Sequence, residues 1–509
     1  MLENIFLGIK SLASIKNFFY MVFGTGTGIT IGAIPGLTGT MAVALLVPVT
    51  FVLSPITGLA MLAGIYNGAI YGGSISAILL RIPGTPAGCV TIFDGFEMTK
   101  KGESALALEA AISSSVCGGL ISVIVLLLVA PPLARIALMF GPAEYFWVAV
   151  FGLTIIVSLS PGSIIKGMIS GFMGLFFAVI GLDPLTAFPR FTFSSPNLLG
   201  GVDLISVLIG LFALPQAFCL MEQVRKGDLQ VSQVSQDNKR AKLFGLFPKL
   251  WRTYIRSSII GTVVGIIPAA GGNIASFIGY DQAKRWSSEG HKFGTGIPEG
   301  VVASEAANNG ITGGSFVPLL TLGIPGSTTT AAIMGAFLIH GLNLGPQLFT
   351  KHPEIVYSLI VALFFTNIIM LFMGYYCSTF FTKILKIPNV ILSPLIIVFS
   401  VVGSYAMRSN LFDVFMLFFF GVLGYFMEKL DYPLAPLVLG LILGPLAEAN
   451  LQRALTISQG SVGGLFNSFI SFLFIALSLI SLIGSLRKNV LMEKITGAPQ
   501  EPGIDGKLT

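Results

Sequence analysis

Two stretches of this 509-residue chain carry the same interruption of hydrophobic sequence. The first runs Asn67-Gly-Ala-Ile-Tyr71-Gly72-Gly73-Ser74 and continues to Ile82-Pro83-Gly84-Thr85. The second runs Asn308-Asn309-Gly310-Ile311-Thr312-Gly313-Gly314-Ser315 and continues to Ile324-Pro325-Gly326-Ser327. Asn308 follows Asn67 by 241 residues and Pro325 follows Pro83 by 242. A fainter pair stands before each, Gly32-Ala33-Ile34-Pro35-Gly36 and Gly265-Ile266-Ile267-Pro268-Ala269, at an offset of 233. Proline removes an amide donor and disfavours helix in the residue before it. Glycine opens backbone conformations closed to other residues. A helix arriving at either Pro-Gly pair is therefore expected to break, and the chain to consist of two related halves.

Such breaks matter because the surroundings are apolar. Hydrophobic residues make up 54% of the chain and charged residues 10%, where an ordinary soluble domain carries about 25% charge. Mean hydropathy is +0.87, and the 60 glycines and 41 phenylalanines suit helices that pack closely in lipid. The expected fold class is an all-α polytopic membrane protein, with about a dozen transmembrane helices plus re-entrant or broken ones. At membrane depth, backbone groups freed by a break must be buried in protein or line a wet cavity. Matched breaks in two halves of such a chain point to a transport site.

The net charge of +6 is concentrated in one place. Arg225, Lys226, Lys239, Arg240, Lys242, Lys249, Arg252 and Arg256 crowd the longest polar stretch, which the positive-inside rule places in the cytoplasm. Phe244, Phe247, Trp251 and Tyr254 adjoin the next span as an interfacial belt, so nucleic acid is not the expected partner. The expected organisation is a first membrane repeat over 1–222, a cytoplasmic polar linker over 223–250, a second repeat with additional helices over 251–487, and a polar cytoplasmic tail over 488–509. Spans are expected near 14–33, 38–53, 57–80, 104–130, 145–160, 164–181 and 201–221, then 254–280, 300–322, 328–341, 355–382, 389–406, 411–428, 433–447 and 463–486. Those near 38–53, 328–341 and 433–447 are short enough to be half-spans. The first twenty residues lack a cleavage signal and suit an amphipathic or first membrane helix. An inverted pair of halves is favoured, because a pseudo-two-fold pair of broken helices supplies a midplane site.

The binding chemistry expected at the breaks follows from the residue types. The amides of Asn67, Asn308 and Asn309 and the hydroxyls of Tyr71, Ser74, Thr85, Thr312, Ser315 and Ser327 can partner the backbone freed around Gly72, Gly73, Pro83, Gly84, Gly313, Gly314, Pro325 and Gly326. Helix N-terminal amides and hydroxyls suit a carboxylate substrate, and carbonyls suit Na⁺. Glu305 lies within one helical turn of Asn308 and Asn309, where it could relay a proton or help hold a cation. Arg81 either faces an anionic substrate or snorkels to the interface. Pro35, Gly36 and Thr38, with Pro268, Gly271, Gly272 and Asn273, would form the tips or hinges of opposing hairpins. The blander reading makes the glycines packing contacts and the prolines kinks.

Other chemistries find no support. Cys89, Cys117, Cys219 and Cys377 are scattered singly, as buried small hydrophobes would be. His291, His340 and His352 are isolated, and no GxxxxGK[ST], HExxH or GxSxG occurs. Gly24-Thr-Gly26-Thr-Gly28 lacks the strand, turn and helix of a dinucleotide site. An ion channel or pore, or a non-transporting membrane scaffold, are the rivals to a transporter.

In its motifs the chain resembles the large membrane subunit of the tripartite tricarboxylate transporters. The resemblance rests on Ile34-Pro35-Gly36-Leu37, Tyr71-Gly72-Gly73-Ser74, Ile82-Pro83-Gly84-Thr85-Pro86 and Asp94-Gly95 in the first half. In the second it rests on Phe293-Gly-Thr-Gly296, Glu299-Gly300, Glu305-Ala-Ala-Asn308-Asn309, Gly313-Gly314 and Leu322-Gly323-Ile324-Pro325-Gly326-Ser327. It implies a permease of the bacterial inner membrane, driven by a Na⁺ or H⁺ gradient and without a bound cofactor. It also implies two partners, a small membrane subunit and a periplasmic solute-binding protein that delivers an organic anion. Arg81, Ser304 and Gly310 depart from the family pattern, in which Asn, Pro and Ala are usual at those places.

Overall fold

The computed structural model describes residues 2–159, 164–183, 186–225, 241–268, 270–377 and 389–496. They are almost wholly helical, with one two-stranded ribbon, Gly181–Leu182 against Pro189–Arg190. Among the described residues seven helices are long and apolar enough to cross a membrane, or eight if one bent pair counts as a span, and five shorter apolar helices accompany them. The expected dozen therefore includes helices too short to cross alone.

Helices α1 (Leu2–Leu12) and α2 (Ile15–Ala33) form the bent pair, turning through 86° where Ser14 caps α2 by accepting the Asn17 amide at 3.1 Å. α3 (Gly39–Thr50) is a half-length helix capped by Thr38, and α4 (Pro55–Leu80) a full span started by Ser54-Pro55. α5 (Cys89–Lys100) is followed by the 34-residue α6 (Ser104–Ala137). α7 (Pro142–Leu159), α8 (Ile164–Val179), α9 (Leu204–Phe212) and α10 (Leu214–Arg225) complete the expected first repeat.

In the second half, the span expected over 254–280 is two helices, α11 (Phe247–Ile266) and α12 (Gly271–Trp286), parted at Pro268. The span expected over 300–322 is also divided, into α13 (Pro298–Gly314) and α14 (Phe316–Leu322). α15 (Thr328–Ile339) is half-length as expected, and α16 (Gln347–Lys351) leads into α17 (Pro353–Tyr376). α18 (Asn389–Arg408), α19 (Leu411–Lys429), α20 (Leu434–Ile457) and α21 (Phe469–Thr496) follow. α20 is no half-span: it runs 24 residues through Pro445. Lys226, Lys239 and Arg240 of the linker and the last residues of the tail lie outside the described residues.

Packing divides the chain into two compact units. One comprises Met1–Phe140 with Phe177–Leu430; the other comprises Gly141–Phe176 with Asp431–Thr509. In the second unit, α7 and α20 pair, and Gly174 of α8 meets the backbone of Leu437 and Gly440. The first unit contains all of the interrupted segments. Its centre is α4, 94% of whose apolar window is buried by the rest of the chain, against 28% for α18, whose Val398, Phe399 and Val402 are exposed at the surface.

Glycine sets the close packing of that centre. Gly24, Gly28 and Gly32 of α2 face the backbone of Met61, Ile65 and Ala69 on α4, while Gly68 and Gly72 of α4 face Thr25 and Ile29. The four-residue spacing lets the two backbones touch, as in small-xxx-small pairs. The same interlock recurs between α11 and α13, where Gly261 faces Ala307, Gly310 faces Ser258 and Gly314 faces Thr262. The recurrence corrects the register taken from the sequence motif. Gly72 meets the Ile29 carbonyl as Gly314 meets that of Thr262, so Gly314 matches Gly72 at an offset of 242. The partner of Asn67 is then Asn309, and the partner of Gly73 is Ser315.

Candidate functional site

At both interruptions the chain leaves its helix through the left-handed region. Arg81 ends α4 at φ 60°, ψ 21°, and Gly323 ends α14 at φ 72°, ψ 19°. Pro83 and Pro325 keep the chain extended, and Gly84 and Gly326 turn it back onto its own half. The Gly84 amide donates to the Gly73 carbonyl at 3.3 Å, and the Gly326 amide donates to the Ser315 carbonyl at 3.3 Å. A Cβ on Gly84 would strike the Gly32 carbonyl, and one on Gly326 would lie 2.7 Å from that of Gly265. Each break is thus pressed against the end of the preceding long helix, where only glycine fits.

The other half completes each break. Beyond Gly326, Ser327 caps α15 in a reciprocal box with Thr330, its Oγ accepting the Thr330 amide at 3.2 Å. Tyr66 of α4 reaches across, its hydroxyl 3.1 Å from Ser315 Oγ and 3.2 Å from Ser327 Oγ. Thr40 at the start of α3 lies 2.8 Å from Thr328 Oγ1 and 3.0 Å from Thr329 Oγ1. Beyond Gly84, Thr85 opens a 3₁₀ turn, Pro86–Gly88. Gly272 at the start of α12 faces that turn: a Cβ there would be 3.0 Å from Ala87 Cβ and 2.7 Å from Asn308 Oδ1. The first turns of α3 and α15 therefore adjoin, as do that of α12 and the Pro86–Gly88 turn. Helix starts present unpaired amides and positive dipole ends, which favour an anion.

The expected residues separate into three groups. Thr85, Ser315, Ser327 and Asn308 lie at the breaks with Pro83, Gly84, Pro325 and Gly326, and Gly73 packs under Thr85, a Cβ there being 2.8 Å from Thr85 Oγ1. Of the hairpin residues, Thr38 caps α3 by accepting the Met41 amide at 3.2 Å, while Gly36 and Gly271 take positive φ. Pro35 and Pro268 sit at the two turns, and Asn273 is exposed.

The second group lies in helix or at a helix end rather than in the breaks, against expectation. Gly72, Gly73 and Ser74 continue α4, because the following apolar residues complete the turn before Arg81. Ser74 donates to the Tyr71 carbonyl at 2.7 Å and Thr312 to that of Asn309 at 2.8 Å, so both hydroxyls serve their own helices. Gly313 and Gly314 are packing positions, the former against Ser122 of α6 and the latter against α11. Arg81 is exposed and lies over the Phe96 ring at 5.8 Å.

The third group forms a buried polar seam where α4, α6, α13 and α17 pack. Asn67 donates to Thr366 Oγ1 at 2.9 Å, and its counterpart Asn309 donates to Ser115 Oγ at 2.8 Å. Each asparagine thus meets a hydroxyl from the other half. Glu305, fully buried, is bonded to Thr91 and lies 3.5 Å from both Ser115 Oγ and Asn309 Nδ2. Asn67 Oδ1, Tyr71 OH, Asn309 Oδ1 and Asn367 Oδ1 are buried without hydrogen-bond partners. Leaving such an atom unpaired costs about 1–3 kcal/mol, so four in one seam call for a purpose.

Four residues outside the expected set organise the site. Tyr66 and Thr91 make the cross-half hydroxyl contacts already described. Asn367, beside Thr366 in an otherwise apolar span, was visible as a polar pair among Leu, Phe and Ile. Asp94, fully buried on α5, accepts the amides of Gly294, Gly296 and Ile297 at 3.0, 2.8 and 3.0 Å and the Tyr280 hydroxyl at 2.8 Å. It thereby fixes the turn that starts α13. Among the described residues no group of His, Cys, Asp and Glu is placed to hold a metal ion.

Residues 18–439 match the sequence model of the Tripartite tricarboxylate transporter TctA family. A protein of Agrobacterium vitis, described as an uncharacterized 52.8 kDa protein in the TAR-I ttuC' 3'region, is 36% identical over 465 residues, covering 90% of this chain and 91% of its own. A second, from the TAR-II ttuC' 3'region of the same organism, is 35% identical over 230 residues, 45% of this chain and 95% of its own. No solved structure matches the chain.

Proposed function

Because the chain belongs to the Tripartite tricarboxylate transporter TctA family, we propose that it imports an organic di- or tricarboxylate across the bacterial inner membrane by secondary active transport. The family is one of transporters rather than enzymes, and this multi-pass chain is its permease component. In our reading a periplasmic solute-binding protein delivers the anion, a small membrane subunit docks on the permease, and a Na⁺ or H⁺ gradient drives uptake. The two halves act as inverted repeats, with alternating access moving the breaks relative to the rest. The observation that carries the reading is the matched pair of bonds from Gly84 to Gly73 and from Gly326 to Ser315. Each holds a non-helical turn beside helix starts of the other half, where a carboxylate finds amides and hydroxyls.

Reconstitution of all three components in proteoliposomes tests this. A labelled tricarboxylate should accumulate above its outside concentration when the binding protein and an ion gradient are present, and ionophores should abolish accumulation. Downhill flux without the binding protein would make the chain a channel. Uptake that needs ATP, or no flux at all, would equally overturn the reading.

A further inference from the structure

A gradient-driven cycle needs a place for its driving ion, and this inference rests on the transport reading given above. Asn67 of α4 and Asn367 of α17 donate to one acceptor, the Leu363 carbonyl, at 3.2 and 2.8 Å. Because each side-chain nitrogen faces a carbonyl oxygen, which can only accept, the amide orientations are fixed. Both Oδ1 atoms then point elsewhere, buried and unpartnered, and the Tyr71 hydroxyl, one turn along α4 from Asn67, is in the same state. Room for the Asn367 amide exists because α6 carries glycine opposite: a Cβ on Gly119 would overlap it.

The electrostatics favour positive charge. Among the described residues the buried charged side chains are Asp94, Glu109, Asp183, Glu305 and Asp413, all acidic. The Glu305 carboxylate stands in the same polar seam, bonded to Thr91 and 3.5 Å from Ser115 Oγ. Oxygen donors without sulfur or imidazole select a hard cation, and one neighbouring carboxylate balances a single charge. The related position, Asn309, donates instead to Ser115 Oγ and to the Glu305 carbonyl of its own helix. The two halves thus differ here, and the ligands gather on the α17 side.

We propose that a sodium ion binds where α4 meets α17, with Asn67 Oδ1, Asn367 Oδ1 and the Tyr71 hydroxyl oxygen among its ligands. α17 lies outside the repeated motif, so its Asn367 is a binding residue that the motif alone does not reveal.

The test uses the purified full-length chain in detergent, without solute or binding protein, so its result is separate from whether a carboxylate is carried. Thermal unfolding is titrated with NaCl, KCl and choline chloride at constant ionic strength and pH. NaCl should raise the midpoint saturably and choline should not. Asn67→Ala and Asn367→Ala should each weaken apparent Na⁺ affinity by at least about tenfold, as loss of a ligand or its support does. An equal response to choline, or wild-type affinity in both variants, overturns the site. Should the alanine variants not fold, Asn367→Asp keeps the shape and adds charge. It must change the Na⁺ affinity by about tenfold in either direction, and an unchanged affinity overturns the proposal.

Discussion

The carboxylate of Asp94 accepts the amide of Gly296 at 2.8 Å, tying a helix of the first half to the turn that opens α13 in the second. Gly294 and Ile297 donate to the same oxygen, and the Tyr280 hydroxyl donates to the other. α13 carries Glu305, Asn308 and Asn309, so Asp94 positions the polar seam from outside it.

Asp94→Ala leaves three amides without their acceptor in a buried site. Hydrogen bonds to a charged group contribute about 1.5–3 kcal/mol each, and neighbouring losses do not add, so we expect destabilisation of about 3 kcal/mol or more. The unfolding midpoint of the detergent-purified protein should fall clearly, with Asp94→Asn in between. A midpoint within a degree or so of wild type for the alanine variant would show that the turn is held by other contacts.

Gly84→Ala and Gly326→Ala should behave alike, since each Cβ would press on the carbonyl of a matched glycine, Gly32 or Gly265. Overpacking of this kind costs about 1–3 kcal/mol, and it displaces the turn that we assign to the substrate. Uptake should drop in both variants. Quantitative blotting beside the uptake assay separates loss of protein from loss of transport, and full uptake by either variant would detach its break from function.

Arg81 and Gly323 share the left-handed conformation, but only one of them is glycine. Left-handed backbone costs an ordinary residue about 1–2 kcal/mol. Arg81→Gly should therefore raise the unfolding midpoint, partly offset by the greater freedom of glycine in the unfolded chain, and Gly323→Ala should lower it. Calorimetry on both variants checks the sign, and equal shifts in one direction would refute the comparison.

Glu305→Gln keeps the shape of a side chain bonded to Thr91 while removing its charge. We expect a folded protein whose midpoint moves by no more than a few degrees, as for a change of about 1 kcal/mol, and whose gradient-driven uptake is lost. Normal uptake in this variant would remove the carboxylate from the transport cycle.

Tyr66→Phe removes the hydroxyl shared by Ser315 and Ser327. Each of those serines retains a bond within its own segment, to Thr312 and Thr330 respectively. The stability cost should stay near 1 kcal/mol. If the Ser327 turn binds the anion, the KM for uptake should rise more than the maximal rate falls. A change confined to the rate would place Tyr66 in the moving machinery instead.

How far the fold could be read in advance depended on how local its causes were. The Pro83-Gly84 and Pro325-Gly326 breaks and the Thr38 cap follow from residue chemistry within a few positions, and the sequence marks them. Gly72-Gly73-Ser74 looked like part of the break and is helix, because glycine permits a turn without requiring one. Whether it packs or turns depends on what lies opposite, here the backbone of α2 for Gly72. The one-residue error in register has the same origin, since Gly-Gly-Ser in both halves invites a match that the α2 and α11 contacts reject.

By itself, then, the sequence determined that the chain lives in a membrane and that its helices break twice at matched places. Those outcomes follow from hydrophobic transfer and from steric limits on proline, which act wherever the residues are. Only the tertiary structure decided which polar groups meet: Tyr66 with Ser315 and Ser327, Asp94 with Gly296, and Asn67 with α17. Such pairings join residues about 200–300 positions apart. They depend on which helices the glycine contacts bring together, and no local pattern in the chain encodes that choice.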